Sequence, residues 1–431
     1  MNIHKLNEKK RRVKDKLIVG IDLAKRDNYA VLMLPDGVVV GKPFKFGNTA
    51  GAFEKLWNRI RKVRDEHQLN GILLSMEATG CYWEPLARFF RDYPVEAVFV
   101  QAKIVKKSRE MMDLSRTKND PKDAYVIAQI TSEGKFLKVR MNDGVWAELR
   151  SLGLMRGDLK KAWVTWGNRI RSIIEKYWPE RERALKNCLK PTSRAILQSC
   201  PFPGDVLELG IEGLTKVVRR GSNKTRGRKM AEALYHEALN SVGVREGQDA
   251  AKFELQHALE IFSLLSQKIE QVEEKLVDCL RRTTYYEPLV SVPGLSAVGA
   301  ALLLAETGDP SQYKSAKEWV KLAGLNLIEN QSGKLKREGK RISRVGRPVL
   351  RHVLYYLSIP LRTHNPDFKV HYLELRRRGK VSMKAVVASM HKLLRLAFAL
   401  CRNRSTYISP PGATERAAEL KAEWATKKAA A

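Results

Sequence analysis

A chain of 431 residues is long enough for two or three domains with cores of their own, so neither disulfides nor structural metals are required for folding. Its 79 Lys+Arg against 47 Asp+Glu leave a formal net charge of +32, which points to nucleic acid or an anionic membrane surface as partner. A membrane is disfavoured because no uncharged apolar run approaches the roughly 20 residues of a spanning helix, and the start lacks the apolar core of a secretory signal; a cytoplasmic protein is expected.

Residues 1–16 read as a basic arm. Leu17 to Ile21 follows as a buried strand and Tyr29 to Leu34 as a second. Pro35-Asp36-Gly37 supplies turn chemistry, so Val38 to Val40 are expected to begin a hairpin partner. Phe53, Leu56, Ile60 and Val63 place a helix over 52–67, followed by a strand at Gly71 to Met76, a helix at about 84–92 and a strand at Val95 to Val100. Strand, strand, strand, helix, strand, helix, strand, helix is the order of an RNase H-like α/β fold, a mixed sheet with helices on both faces.

Beyond about residue 140 the pattern turns to long helices. Leu149, Leu152, Leu159, Trp163, Trp166, Ile170, Ile173 and Tyr177 form a seam broken only by Arg156, and Leu255, Ala258, Phe262, Leu265, Ile269, Val272, Leu276 and Cys279 form a second. Such coiled-coil helices could pair within one chain or join subunits. Between them, about 180–250 looks less regular, and Lys216 to Lys229 carries Arg219, Arg220, Lys224, Arg226 and Arg228 with no acid. Gly221, Ser222, Asn223 and Gly227 make that run a loop with phosphate contact as its expected role. Val292-Pro293-Gly294-Leu295-Ser296-Ala297-Val298-Gly299 resembles a helix-hairpin-helix element, whose turn amides can hold a phosphate. Lys334, Lys336, Arg337, Lys340, Arg341, Arg344 and Arg347 crowd the next stretch as nucleic-acid contacts. An amphipathic helix over 384–401 and a frayed or loosely helical tail after Ser409 close the chain. The expected domains are thus 17–140, 141–282 with its insertion, and a mostly helical 283–408.

Four acids stand out. Asp22 and Glu77 end neighbouring strands, and Asp120 and Asp123 are three apart at a helix start, on one face. Two carboxylates about 4 Å apart repel by roughly 4 kcal/mol at an effective dielectric of about 20, and divalent cations reverse that sign. A pair of such ions can activate a nucleophile and stabilise a leaving oxygen, and hard oxygen ligands favour Mg2+ or Mn2+. Taken singly each acid has a plainer use, since Asp120-Pro121 is a common helix start and Glu77 could cap a helix. The five cysteines show no paired spacing and read as reduced thiols outside any zinc site.

Gly20-Ile21-Asp22-Leu23-Ala24-Lys25, Met76-Glu77-Ala78-Thr79-Gly80-Cys81-Tyr82-Trp83-Glu84-Pro85 and Arg116-Thr117-Lys118-Asn119-Asp120-Pro121-Lys122-Asp123-Ala124 resemble the three motifs of the DEDD transposases of insertion-sequence family 110. Val292-Pro293-Gly294, Ala323-Gly324-Leu325 and Ser332-Gly333 continue the resemblance. It implies a RuvC-like domain whose four acids bind metal, and a second domain whose Ser332 attacks DNA and holds it as a phosphoserine. It also implies double-stranded DNA at element ends and target, a structured bridge RNA that chooses both, a homo-oligomer (dimer, or tetramer in synapsis) and a bacterial, nucleoid-associated setting. Ser343 is the rival hydroxyl. Two departures are Leu327, where the family often has proline, and the insertion at about 180–250.

Three other readings make different predictions. A RuvC-type nuclease or junction resolvase would use water in place of Ser332. An actin-like ATPase would share Val19 to Leu23 but lacks a second glycine-rich motif here. A non-catalytic nucleic-acid-binding protein would tolerate Asp120→Asn.

Overall fold

The computed structural model describes residues 3–77, 80–112, 120–221, 227–328, 331–332, 335–336 and 341–429, with the side chains of Asp120, Ser332 and Lys336 outside that description. Two compact units divide at Met141 and Asn142. The first runs α1 (Ile3–Val13), β1 (Lys16–Asp22), β2 (Asp27–Met33), β3 (Phe44–Gly47), α2 (Ala50–Glu66), β4 (Gly71–Glu77), α3 (Trp83–Phe89), β5 (Glu96–Val100), α4 (Ala102–Met112), α5 (Asp120–Ser132) and β6 (Leu137–Lys138).

Its sheet has the order β3-β2-β1-β4-β5-β6. β1, β4 and β5 are parallel, and β2, β3 and β6 join by antiparallel pairing. Leu17 to Ile21 and Ile72 to Met76 are buried throughout because both faces of the central strands are covered. Leu17, Val19 and Ile21 face a core with Leu56 and Ile60 of α2, while Ile18 and Leu73 share the other face with Ala128 of α5.

Three expectations change here. The basic arm is a helix: Val13 of α1 is buried, Lys9 donates to the Phe136 carbonyl, and Arg12 joins Lys16 in pairing with Glu96. Val38 to Val40 follow the expected turn, since Leu34 and Val38 are hydrogen-bonded, but make only the single bridge Met33↔Val39. Gly41 then turns the backbone away at φ +73°, and the third strand starts at Phe44. Asn48 fixes it by donating to the carbonyls of Ala24 and Lys25.

The second unit runs α6 (Val145–Tyr177), α7 (Arg181–Ala184), α8 (Pro191–Ser199), α9 (Pro203–Gly221), α10 (Arg228–Leu239), α11 (Gln248–Arg281), α12 (Tyr286–Val290), α13 (Ala297–Thr307) and α14 (Ala316–Leu322). The short strands β7 (Leu327–Ile328), β8 (Gln331–Ser332), β9 (Leu335–Lys336) and β10 (Arg341–Ile342) follow, then α15 (Pro348–His364), α16 (Pro366–Arg377), α17 (Ser382–Asn403) and α18 (Ala413–Ala429).

The two seams pair with each other inside the chain, one of the two arrangements that their spacing left open. Arg282 meets Glu148, Arg156 meets Glu273 at 2.6 Å, Trp163 Nε1 donates to Ser266 at 3.0 Å, and Arg169 meets Glu254. Partner numbers fall on one helix as they rise on the other, so α6 and α11 are antiparallel. Arg156, the break in the seam, is thus an interhelical ion pair.

The insertion is ordered. α7 to α10 bury Trp178, Ile196, Val206, Leu214, Ala231 and Leu234 in a core of their own. Its entrance and exit are stitched together: Glu180 accepts from Ser241 Oγ at 2.7 Å and the Val242 amide at 2.9 Å, while Val244 donates to the Lys176 carbonyl. A Cβ on Gly243 would meet the Tyr177 backbone. The tail takes the helical of its two expected forms. Ala413, Ala417 and Leu420 of α18 are buried, and Arg376 of α16 stacks on Trp424 at 5.1 Å. All five cysteines are free, and burial pushes Cys200 and Cys401 up to about 12, which leaves them inert thiols.

Candidate active site

Parallel pairing sets Ile21 opposite Met76, so Asp22 and Glu77, the next residues along β1 and β4, end adjacent strands. The third acid arrives on α5, which lies across β1. Gly20 makes that crossing possible. A Cβ there would run into the Ala124 carbonyl and stand 2.7 Å from Ala128, and both contacts are on α5. Ser75 of β4 locks the far end of the helix through a 2.5 Å hydrogen bond with Thr131, buried at both ends. Asp123, the residue before the Ala124 that meets Gly20, is only 6% exposed. Asp120 opens the same helix.

Asp123 has a partner that the motif did not indicate. Arg109 of α4 places Nη1 at 3.0 and 2.9 Å from its two carboxylate oxygens. Such a guanidinium balances the buried negative charge. Sequence gave no sign of this, because the partners are 14 positions apart and the stretch between them includes 113–119, part of it in the motif and all outside the described residues. Among the described residues no three His, Cys, Asp or Glu side chains converge as a metal group. The donors on offer are carboxylate oxygens alone, which suits a hard divalent cation. Asp22, Glu77 and Asp123 could hold it together with Asp120.

Ser332 lies on a β arm of the second unit. Leu327 and Ile328 pair with Ile342 and Arg341, and further out Gln331 and Ser332 pair with Lys336 and Leu335. The base is clamped by unusual backbone. Gly324, at φ +65°, has the Arg344 and Val345 backbone at 3.0 Å from where its Cβ would be, and Arg344 itself sits at φ +56°. Arg351 donates to the Ala323 carbonyl at 3.0 Å, and His391 Nε2 donates to the Leu325 carbonyl at 2.9 Å. Ser343 belongs to this clamp: its hydroxyl bonds Asn326 Oδ1 at 2.7 Å and the Gly324 carbonyl at 3.3 Å.

The basic candidates are dispersed. Arg341 and Arg344 are exposed at the arm's base, whereas Arg347 is half-buried and donates to the Glu306 carbonyl. Arg219 and Arg220 end α9 and Arg228 opens α10, so these three stand on helices and not in the expected loop. Lys224, Arg226, Lys334, Arg337 and Lys340 lie outside the described residues. The expected helix-hairpin-helix is a five-residue α12 joined to α13, and its Gly294 at φ +87° is packed on Pro360 and Leu361 of α15. Ser296 caps α13 by accepting the Gly299 amide. Packing and capping therefore explain this turn without a phosphate.

Among known proteins, the chain resembles the 44.8 kDa protein of insertion element IS116 from Streptomyces clavuligerus, with 23% identity over 94% of this chain and 99% of that relative. The 42 kDa protein of IS900 from Mycobacterium paratuberculosis is 26% identical over 67% of this chain and 73% of its own length. The pilin gene-inverting protein of Moraxella lacunata is 21% identical over 91% and 98%. A family model for the DEDD transposases of IS110 matches residues 19–179, and one for transposases of the IS116/IS110/IS902 family matches 286–373. The first match takes in all four acids and the second takes in Ser332, and together they span more than half of the sequence: the chain belongs to the IS110 family of DEDD transposases.

Proposed function

We propose that this transposase cuts and rejoins DNA through Ser332, assisted by a divalent metal held by Asp22, Glu77, Asp120 and Asp123. The observation that carries this reading is the β1–β4 register, which sets Asp22 beside Glu77 at strand ends under the helix that bears Asp123. The order β3-β2-β1-β4-β5, with β2 antiparallel to its neighbours, supports an RNase H-like, RuvC-type assignment of the first unit.

In the cleavage step Ser332 Oγ attacks a backbone phosphorus. The Oγ–P bond forms as the bond from phosphorus to the 3′ sugar oxygen breaks. The serine proton leaves to solvent and the departing 3′ oxygen takes one up, leaving a 5′-phosphoserine. Reversal with a different 3′ hydroxyl rejoins the strands. A bound Mg2+ or Mn2+ supplies charge neutralisation for the transferring phosphoryl group and acidifies the attacking hydroxyl. Arg109 balances the charge of Asp123, one of the carboxylates that would hold the metal. The relative that inverts a pilin gene supports rejoining over simple cutting. A bridge RNA that selects both DNAs suits a +32 chain, which would act on the nucleoid as a homo-oligomer.

The test is a nicked suicide substrate followed by mass mapping of the adduct. Wild type is expected to yield phosphoserine at Ser332, and Ser332→Ala none, while Asp22→Asn lowers cleavage by roughly 10²- to 10³-fold. Strand cleavage surviving Ser332→Ala would instead favour water as nucleophile.

A further inference from the structure

Where α6 ends and the inserted module begins, the fold forms a half-open cavity of about 220 Å³ whose walls include Arg171, Trp178, Arg181, Lys186 and Cys188. Arg181 is only 6% exposed. Its Nη1 donates to the Leu185 carbonyl at 3.1 Å, its Nε–H has no partner, and it makes no ion pair with a carboxylate among the described residues. A buried guanidinium is costly unless its charge is matched.

The groups near Arg181 do not match it. Burial pushes the Cys188 thiol up, so at neutral pH it carries no negative charge. Glu175 and Glu182 also line the cavity, but both are exposed and act on Arg181 from a distance. Burial is the strongest influence on Arg181 and lowers its pKa, as expected for a cation without a counter-charge. Trp178, fully buried, likewise keeps Nε1–H without a partner. With Arg171 and Lys186, the walls hold three cations against two carboxylates.

We propose that this cavity is an anion site that binds the phosphate group of a phosphate-bearing ligand. The buried Arg181 guanidinium supplies the central positive charge, and Arg171 and Lys186 add to it from exposed positions. The volume is roughly seven times that of one water in the liquid, about 30 Å³, which leaves room for a tetrahedral phosphate and part of its ester. A second cleft shares Pro179, Glu182 and Lys186 with the cavity and opens toward Val242, giving the rest of the ligand a way out.

The full-length protein is melted in sodium phosphate and in sodium chloride of equal ionic strength. Phosphate at about a hundredfold over its Kd is expected to raise the unfolding midpoint by a few degrees beyond chloride. Arg181→Met abolishes that excess shift. Lys186→Ala, at an exposed position whose loss leaves the fold intact, weakens phosphate binding roughly tenfold, so the idea stays testable even if Arg181→Met fails to fold. Equal shifts in the two salts, or an Arg181→Met protein that responds like wild type, overturn it. Competition by an oligonucleotide with a 5′ phosphate but not by its 5′-hydroxyl twin assigns a terminal monoester. Equal competition by both assigns the backbone diester, and competition by neither, with the phosphate shift intact, assigns free phosphate.

Discussion

The acid-bearing sheet and the serine-bearing arm carry the candidate site residues in different ways. Asp22 and Glu77 are set by ladder register at the ends of two central strands of a six-stranded sheet, and Asp123 by a helix seated on a glycine. Ser332 stands on a two-residue ladder whose geometry is governed lower down, where Gly324, Ser343, Arg351 and His391 clamp the base. A rigid lattice suits groups that must hold a charge at fixed spacing.

If the sheet end depends on close packing, Gly20→Ala should damage it most. The added methyl meets backbone of α5, so we expect a loss of about 1–3 kcal/mol in the first unit's stability by urea titration. Cleavage should fall further than the folded fraction, because Asp123 moves with α5. Unchanged stability would mean that α5 is not seated on β1 as described.

The arm's base offers a pH test. Burial is the main cause that lowers the pKa values of His391 and His371 from an ordinary value near 6.5, with Lys392 adding to it at His371. The unfolded chain takes up protons that the folded one refuses. Stability is therefore complete above about pH 6.5 and erodes as pH falls toward the lower folded values, by at most about 1.4 kcal/mol per pH unit for each ring. His391→Gln should flatten part of that slope in melts between pH 7 and 5.

The smallest effect is expected at Ser343. Ser343→Ala removes the bond to Asn326 and costs about 1 kcal/mol, yet the covalent adduct should still map to Ser332. Loss of the adduct with the fold intact would reverse the roles of the two hydroxyls.

Much of the first unit was legible because its central strands are uninterrupted apolar runs, and those follow from burial on both faces. The third strand was not, since Phe44 to Gly47 is only four residues long and depends on Asn48 reaching back to Ala24 and Lys25. Among the site residues, the acids announced themselves by charge in a basic chain, but Arg109 is one cation among 79 until the fold sets it on Asp123. Gly20 was the readable clue to that crossing, a residue without a side chain inside a buried strand. Which partner the long helices choose is a tertiary choice that periodicity leaves open, and the matched ion pairs along α6 and α11 settle it. The order of α18 was within reach, because Ala413, Ala417 and Leu420 repeat at helical spacing.

The stitching of Glu180 to Ser241 and Val242, with Gly243 against Tyr177, makes residues 178–243 a cassette that enters and leaves the helical pair at one point. Neither family match reaches into it beyond residue 179. A cassette mounted this way can be enlarged, trimmed or exchanged without altering how α6 and α11 meet, so a new specificity could be fitted to the enzyme there while its cutting machinery is left as it was.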